Sequence, residues 1–227
     1  MKSQNRLLVW LIPVVALLFA CSIMPQGTAG TSAAGSTAAA ASSVIFQDDF
    51  SDKSNDWNSL TDEYGTTDYA DSKYLISVAN THSYLYTTPD TLGDTMDVRV
   101  EVDVLKSVDT PHDMGILCRF QDADNFYFFL VASDGYYAIG KFKDGEEQLI
   151  GSDEMKADDN SVINTGAADN HVRGDCVGDT LTLYANGTKL FQVQDSDFKK
   201  GNVGLLAGSY DDAPVSVYFD NFVVTKP

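Results

Sequence analysis

Residues Met96-Asp97-Val98-Arg99-Val100-Glu101-Val102-Asp103-Val104 run apolar, charged, apolar, charged without a break. A period of two puts the valines on one face and the charges on the other, which suits a strand with one side on a core and one in water. A helix would scatter the same valines around its circumference. Elsewhere, short runs of β-branched and aromatic residues are separated by Gly, Asp and Asn at intervals of roughly 8 to 12 residues, and no stretch shows a convincing amphipathic helix. Met114 to Phe120 and Phe126 to Val131 read as strands joined by Gln121-Asp122-Ala123-Asp124-Asn125. Tyr136 to Phe142 leads into Lys143-Asp144-Gly145-Glu146, whose Asp-Gly signals a tight turn. His171 to Cys176, Thr180 to Tyr184 and Lys189 to Val193 form a meander that turns at Asn186-Gly187, and Val203 to Ala207 and Val215 to Val224 finish the series. The prediction is all-β, an antiparallel sandwich or barrel.

The first 21 residues constrain location rather than fold. Lys2 and Arg6 form a positive segment, Leu7 to Phe19 an apolar one, and Ala20 is the small residue a signal peptidase requires. Residues 1–20 thus read as a signal peptide. Leu18-Phe19-Ala20-Cys21 resembles the lipobox of bacterial lipoproteins, which implies that Cys21 is acylated and becomes the mature N-terminus. The competing readings are an ordinary secretory signal or a single anchor helix, but a bilayer span needs roughly 20 apolar residues, more than this segment offers. Residues 22–43, almost wholly Ala, Ser, Gly and Thr, cannot bury enough to offset their ordering entropy. With Cys21 they read as a lipidated, flexible tether on the order of 25 Å long. One domain over 44–227 remains, ample for a core.

The chain carries 15 Lys and Arg against 33 Asp and Glu, a formal charge of −18. Two of those cations belong to the signal peptide. Such a surface repels polyanions, so nucleic acid is excluded as a partner, and the acyl chains are the only expected membrane contact. Oligomeric state is not legible.

In order, Phe46-Gln47-Asp48-Asp49-Phe50-Ser51-Asp52 with Trp57, Gly115 to Phe120, Asp124 to Phe129, Leu181 to Gly187, Phe198 to Leu205 and Val217 to Phe222 resemble the concanavalin A-like jelly-roll modules of bacterial secreted proteins, the laminin-G-like and 3-keto-disaccharide-hydrolase-like group. The resemblance spans nearly all of 46–224. It implies two packed antiparallel sheets, a concave face often used for carbohydrate, and first and last strands side by side. It also implies a structural calcium between those strands, with Asp220 and Asp49 (or Asp48) as carboxylates; capping of backbone amides by Asp220 is the alternative.

Catalytic residues are not assigned. Glu101-Val102-Asp103-Val104-Leu105-Lys106 resembles the active-site strand of family 16 glycoside hydrolases, but Lys106 stands where a proton-shuttling carboxyl belongs. His82, His112 and His171 are scattered without metal-ligand spacing, and no nucleophile elbow or phosphate loop is present. Cys118 and Cys176 both fall on core-facing positions of an exported domain, which predicts a disulfide between them, with two separate buried thiols as the alternative. Phe126 to Val131 is apolar on both faces. If Tyr127, Phe129 and Val131 face the core, then Phe126, Phe128 and Leu130 join Arg119 and Tyr136 on the outer sheet face, where rings beside a polar group could stack on a sugar; a covered sheet is the alternative. The functional expectation is a carbohydrate-binding module without catalysis, against a glycan hydrolase or a protein-interaction module.

Overall fold

The computed structural model describes residues 44–106 and 110–227. The signal peptide over 1–20, Cys21 and the linker to residue 43 lie outside the described residues, as does the side chain of Lys106. The strands are β1 (Val44–Asp48), β2 (Leu60–Asp62), β3 (Gly65–Ala70), β4 (Lys73–Val78), β5 (Ser83–Thr87), β6 (Val98–Lys106), β7 (His112–Asp122), β8 (Asn125–Ala132), β9 (Tyr136–Lys143), β10 (Glu146–Leu149), β11 (Lys156–Ala157), β12 (Asn170–Val177), β13 (Thr180–Ala185), β14 (Thr188–Gln194), β15 (Asn202–Ser209) and β16 (Val215–Thr225). One sheet runs β14-β13-β12-β6-β16-β4-β3-β2, the other β10-β9-β8-β7-β15-β5 with β11 added beside β9. Every pairing is antiparallel. The long β16 takes β6 along one edge and divides the other, Val215–Phe219 pairing with β4 and Phe222–Thr225 with β1. First and last strands are thus neighbours in a jelly-roll sandwich.

The alternation in β6 does what its period requires. Val98, Val100, Val102 and Val104 are buried, whereas Arg99, Glu101 and Asp103 face outward. Across the sandwich they meet Met114, Ile116 and Cys118 of β7 and Tyr127, Phe129 and Val131 of β8 in one continuous core. Full burial of each such side chain contributes on the order of 1.5 to 3 kcal/mol. Cys118 and Cys176 join β7 of one sheet to β12 of the other, with Cα atoms 6.8 Å apart. Gly174 lets the sheets approach there: a Cβ at this position would stand 2.8 Å from Ile116 Cδ1 and 2.9 Å from the Phe129 ring.

Residues 60–87, for which the sequence pattern gives no strand, form β2 to β5. β2 is exposed and β3 and β5 are mostly half-buried, with Thr67 and Thr87 as buried polar positions; β4 does alternate, sending Tyr74, Ile76 and Val78 into the core. The N-terminal segment is pinned by Asp48, which accepts the Phe50 backbone N–H at 2.7 Å and the Trp57 indole N–H at 2.9 Å. Trp57 in turn packs edge-on against Phe222 of β16, 4.9 Å between ring centres.

Candidate functional site

Because the valine side of β6 and the Phe129 side of β8 share the core, the opposite residues of β8 face outward from the smaller sheet. There they build a second apolar layer. Phe126, Phe128, Leu130, Leu117 of β7 and Leu206 of β15 are buried within it, and Tyr84, Tyr86, Phe120, Phe142, Leu149 and Met155 are half-exposed around them. Register explains how rings tile this face. Phe128 stands opposite Gly140, Gly208 opposite Tyr84, and each glycine lies under its partner's ring, where a Cβ would collide. Phe126 stacks on Phe142 at 5.0 Å and contacts Tyr86 at 5.5 Å.

The face ends in a polar cluster. Asp113 of β7 projects outward between Gly208 and Ala132 and is fully buried. Tyr210 donates its hydroxyl hydrogen bond to one carboxylate oxygen at 2.5 Å, and Tyr84 donates to the other at 3.1 Å. Desolvation pushes the Asp113 carboxyl up to about 7, against the pull of the two tyrosines, and Asp134 and Glu147 add repulsion. Burial, with Asp113 alongside, also raises both phenols. Glu147 of β10 is exposed as a residue, yet apolar surroundings at its carboxyl hold it above the usual range. The Tyr210 ring continues into a cleft of about 440 Å³ lined also by His82, Pro111, Asp134, Asp211 and Asp212.

The sequence-predicted residues divide. Phe126 and Phe128 are on the outer face but 1 % exposed, so neither ring is free to stack on a ligand; their neighbours Tyr86, Phe120 and Phe142 form the accessible surface. Tyr136 is 43 % exposed at the outward end of β9. Arg119 does not join this face. A bulge between Cys118 and Asp122, with Arg119 at φ 52°, turns its side chain away, and it is 1 % exposed. Its guanidinium donates to the carbonyls of Gly178 at 2.7 Å and Phe198 at 2.8 Å and reaches Asp97 at 3.3 Å. Arg119 is a structural clamp.

The calcium expectation gains no support from the placement of its donors. Asp220 is not among the core aromatics: it lies outward at a β16 bulge opposite Asp103, where it caps the Asn221 N–H at 2.8 Å. Asp49 is exposed and accepts the Ser51 N–H, and the polar pocket beside it includes Asn221 but not Asp220. Among the described residues no group of three or more His, Cys, Asp or Glu could hold a metal ion.

Glu101 and Asp103 lie on the far surface of the molecule, outward from the larger sheet. His171 bridges them, with Nδ1 2.7 Å from Asp103 and Nε2 3.2 Å from Glu101, and Asn221 donates to Asp103 at 2.9 Å. These carboxylates are tied into a surface network on a different sheet from the aromatic face.

No protein-family model matches the sequence, and no curated protein does. Solved structures do match in fold. A carbohydrate-binding module, CBM66, from Bacillus subtilis aligns with a TM-score of 0.54 at 16 % identity, over 75 % of this chain and 95 % of that one. A Bacillus licheniformis β-glucanase aligns at 0.58 and 10 % identity, over 80 % and 98 %. A Bacillus subtilis protein of unknown function with a galectin-like fold aligns at 0.55 and 12 %, over 81 % and 96 %. At such identities the likeness is one of fold, a β-sandwich that carries both sugar-binding modules and glycosidases.

Proposed function

We propose that the chain is a lipid-anchored extracytoplasmic module that binds glycan at the outer face of its smaller sheet without turning it over. The observation that carries this reading is the half-exposed set Tyr86, Phe120 and Phe142 gathered around Phe126 on the outer face of the smaller sheet, whose opposite end carries Tyr84, Tyr210 and a cleft lined by three aspartates. Aromatic rings supply flat apolar surface for a sugar ring, and carboxylates and phenols accept its hydroxyls. Similarity in fold to a carbohydrate-binding module supports the reading. Catalysis is disfavoured by position. Asp113, whose carboxyl burial pushes up to about 7, is fully buried and engaged by two tyrosines, while Glu101 and Asp103 are engaged by His171.

A glycan array probed with the full-length protein in detergent, including mixed-linkage β-glucan and mucin O-glycans, tests this directly. Binding without product release, weakened by Tyr86→Ala, is the expected result. Release of reducing ends would replace it with the hydrolase reading, and silence across the array with a protein-docking face. The anchor rests on Cys21: Cys21→Ser is expected to abolish palmitate labelling and to leave the protein soluble or uncleaved.

A further inference from the structure

Among the described residues Asp113 is the one fully buried carboxyl on the outer side of the smaller sheet, and both of its oxygens are used. Tyr84 of β5 and Tyr210, just past β15, approach it from one side of β7. Asp134, in the turn after β8, and Glu147 of β10 are the other ionisable groups acting on it, and both are acidic. His82 is paired with Asp211 in the cleft, and His112, next in sequence, turns its Nδ1 to the Thr110 carbonyl. A carboxylate has acceptors only, so when ionised it takes both phenolic hydrogens and leaves Tyr84 and Tyr210 with oxygen lone pairs only. A protonated acid has one O–H of its own, which it gives to one tyrosine; that phenol then has a hydrogen to donate elsewhere, and beside Tyr210 the Met155 sulfur, 3.2 Å away, is a weak acceptor that a saccharide hydroxyl would outcompete.

We infer that Asp113 is a positioning residue: without touching ligand, it sets Tyr84 and Tyr210 as a pair of hydrogen-bond acceptors and, on taking up a proton, converts one of them to a donor. The inference rests on the glycan-binding reading and specifies its chemistry. Asp134, Asp211 and Asp212 also only accept when ionised, so the end of the face selects a saccharide edge rich in O–H or N–H donors. Binding is tighter with Asp113 ionised. The carboxyl's position near neutrality puts the change within an accessible pH range.

The first measurement needs no ligand. Carboxyl and tyrosine ring carbons of the labelled full-length protein are followed by NMR from pH 5 to 9, with Asp113→Asn identifying the carboxyl signal and Tyr210→Phe the phenol. A carboxyl titrating near neutrality, with the Tyr210 signal moving at the same midpoint, is expected. Tyr210→Phe removes a donor to the ionised form and shifts the midpoint upward. A carboxyl that titrates near 4, or a Tyr210 signal flat in pH, overturns the inference. Should Asp113→Asn fail to fold, the Tyr210→Phe shift alone decides. The second measurement uses mixed-linkage β-glucan oligosaccharide and mucin O-glycan as probes. Whichever binds should do so about 3- to 10-fold more tightly at pH 8 than at pH 6, the worth of one hydrogen bond, and Tyr210→Phe should flatten the profile. Affinity flat in pH in a protein whose carboxyl does titrate overturns the ligand half of the inference. Failure of both probes and of the wider array strikes the glycan reading, while the NMR result still decides the tyrosine switch.

Discussion

The ring of Phe128 lies across the bare backbone of Gly140 on the neighbouring strand, filling the space a side chain would take. This contact makes the outer layer of the smaller sheet a packed stratum rather than a row of free rings. Gly140→Ala is expected to cost about 1 to 3 kcal/mol by overpacking, and Phe128→Ala about 3 to 5 kcal/mol by leaving a cavity. Phe129→Ala, in the core between the sheets, should cost as much as Phe128→Ala. Denaturant unfolding of the three variants measures this; a Phe128→Ala midpoint equal to wild type would mean that the ring is exposed after all.

Arg119 gives a second prediction. It satisfies the carbonyls of Gly178 and Phe198 from a fully buried position, with Asp97 as its ionic partner. Arg119→Met should lower stability by roughly 1 to 3 kcal/mol, because it leaves the Gly178 and Phe198 carbonyls without their donor while the half-exposed Asp97 returns to water. Arg119→Lys should recover little of it, because an ammonium lacks the planar fork that spans the two carbonyls. Glycan binding per folded molecule should not change.

The Cys118–Cys176 bond closes a segment with a sequence separation of 58. By the chain-entropy argument its loss costs about 4 kcal/mol. The double serine variant is expected to show that loss in equilibrium unfolding, and non-reduced peptide mapping of wild type should recover the linked pair. Free thiols in denaturant without reductant would be the contrary result.

Stability should also carry a signature of Asp113. Its folded pKa of about 7 lies above the unfolded carboxylate value, so the folded state holds the proton more tightly. Its contribution is therefore most favourable below about pH 4 and is lost as pH rises through 7, by on the order of 4 kcal/mol. Asp195 works in the opposite sense: burial would raise it, but Lys141 at 2.5 Å and the Tyr127 hydroxyl outweigh that and hold it low. The stabilisation it gives is present at neutral pH and lost in acid, below about 4. Unfolding at pH 4, 6 and 8 separates the two. The advantage of wild type over Asp113→Asn should shrink as pH rises, and the advantage over Asp195→Asn should shrink as pH falls towards 3.

Most of the strands in residues 96–224 were legible because they declare themselves locally, by the valines of β6, the Asp-Gly after β9 and the Asn-Gly after β13; the short, polar β10 and β11 were not. Residues 60–87 gave no such signal. Their strands are short and rich in Thr, Ser, Asp and Tyr, and β4 is paired along the edge of β16. Parity in β8 was open between two faces, because Phe126 to Leu130 is apolar on both, and only the burial of Phe129 against Gly174 and Ile116 across the sandwich resolves it. Arg119 was misread because strict alternation was carried through a bulge that the sequence does not mark. Asp113 and Tyr210, the polar end of the candidate site, lie 97 residues apart and had no motif to announce them.

The sequence by itself determined what depends on near neighbours: the all-β class, the turns, the inward valines, the net acidic charge, and the core-facing positions of Cys118 and Cys176. Tertiary structure alone decided what depends on which strands meet. It brought Tyr84 and Tyr210 onto Asp113, tucked Phe128 over Gly140, turned Arg119 into a clamp and left Asp220 outside the core. The physical reason is that side-chain period follows from backbone geometry within a strand, whereas the burial and ionisation of a group follow from the register and bulges of strands distant in sequence, which no local pattern encodes.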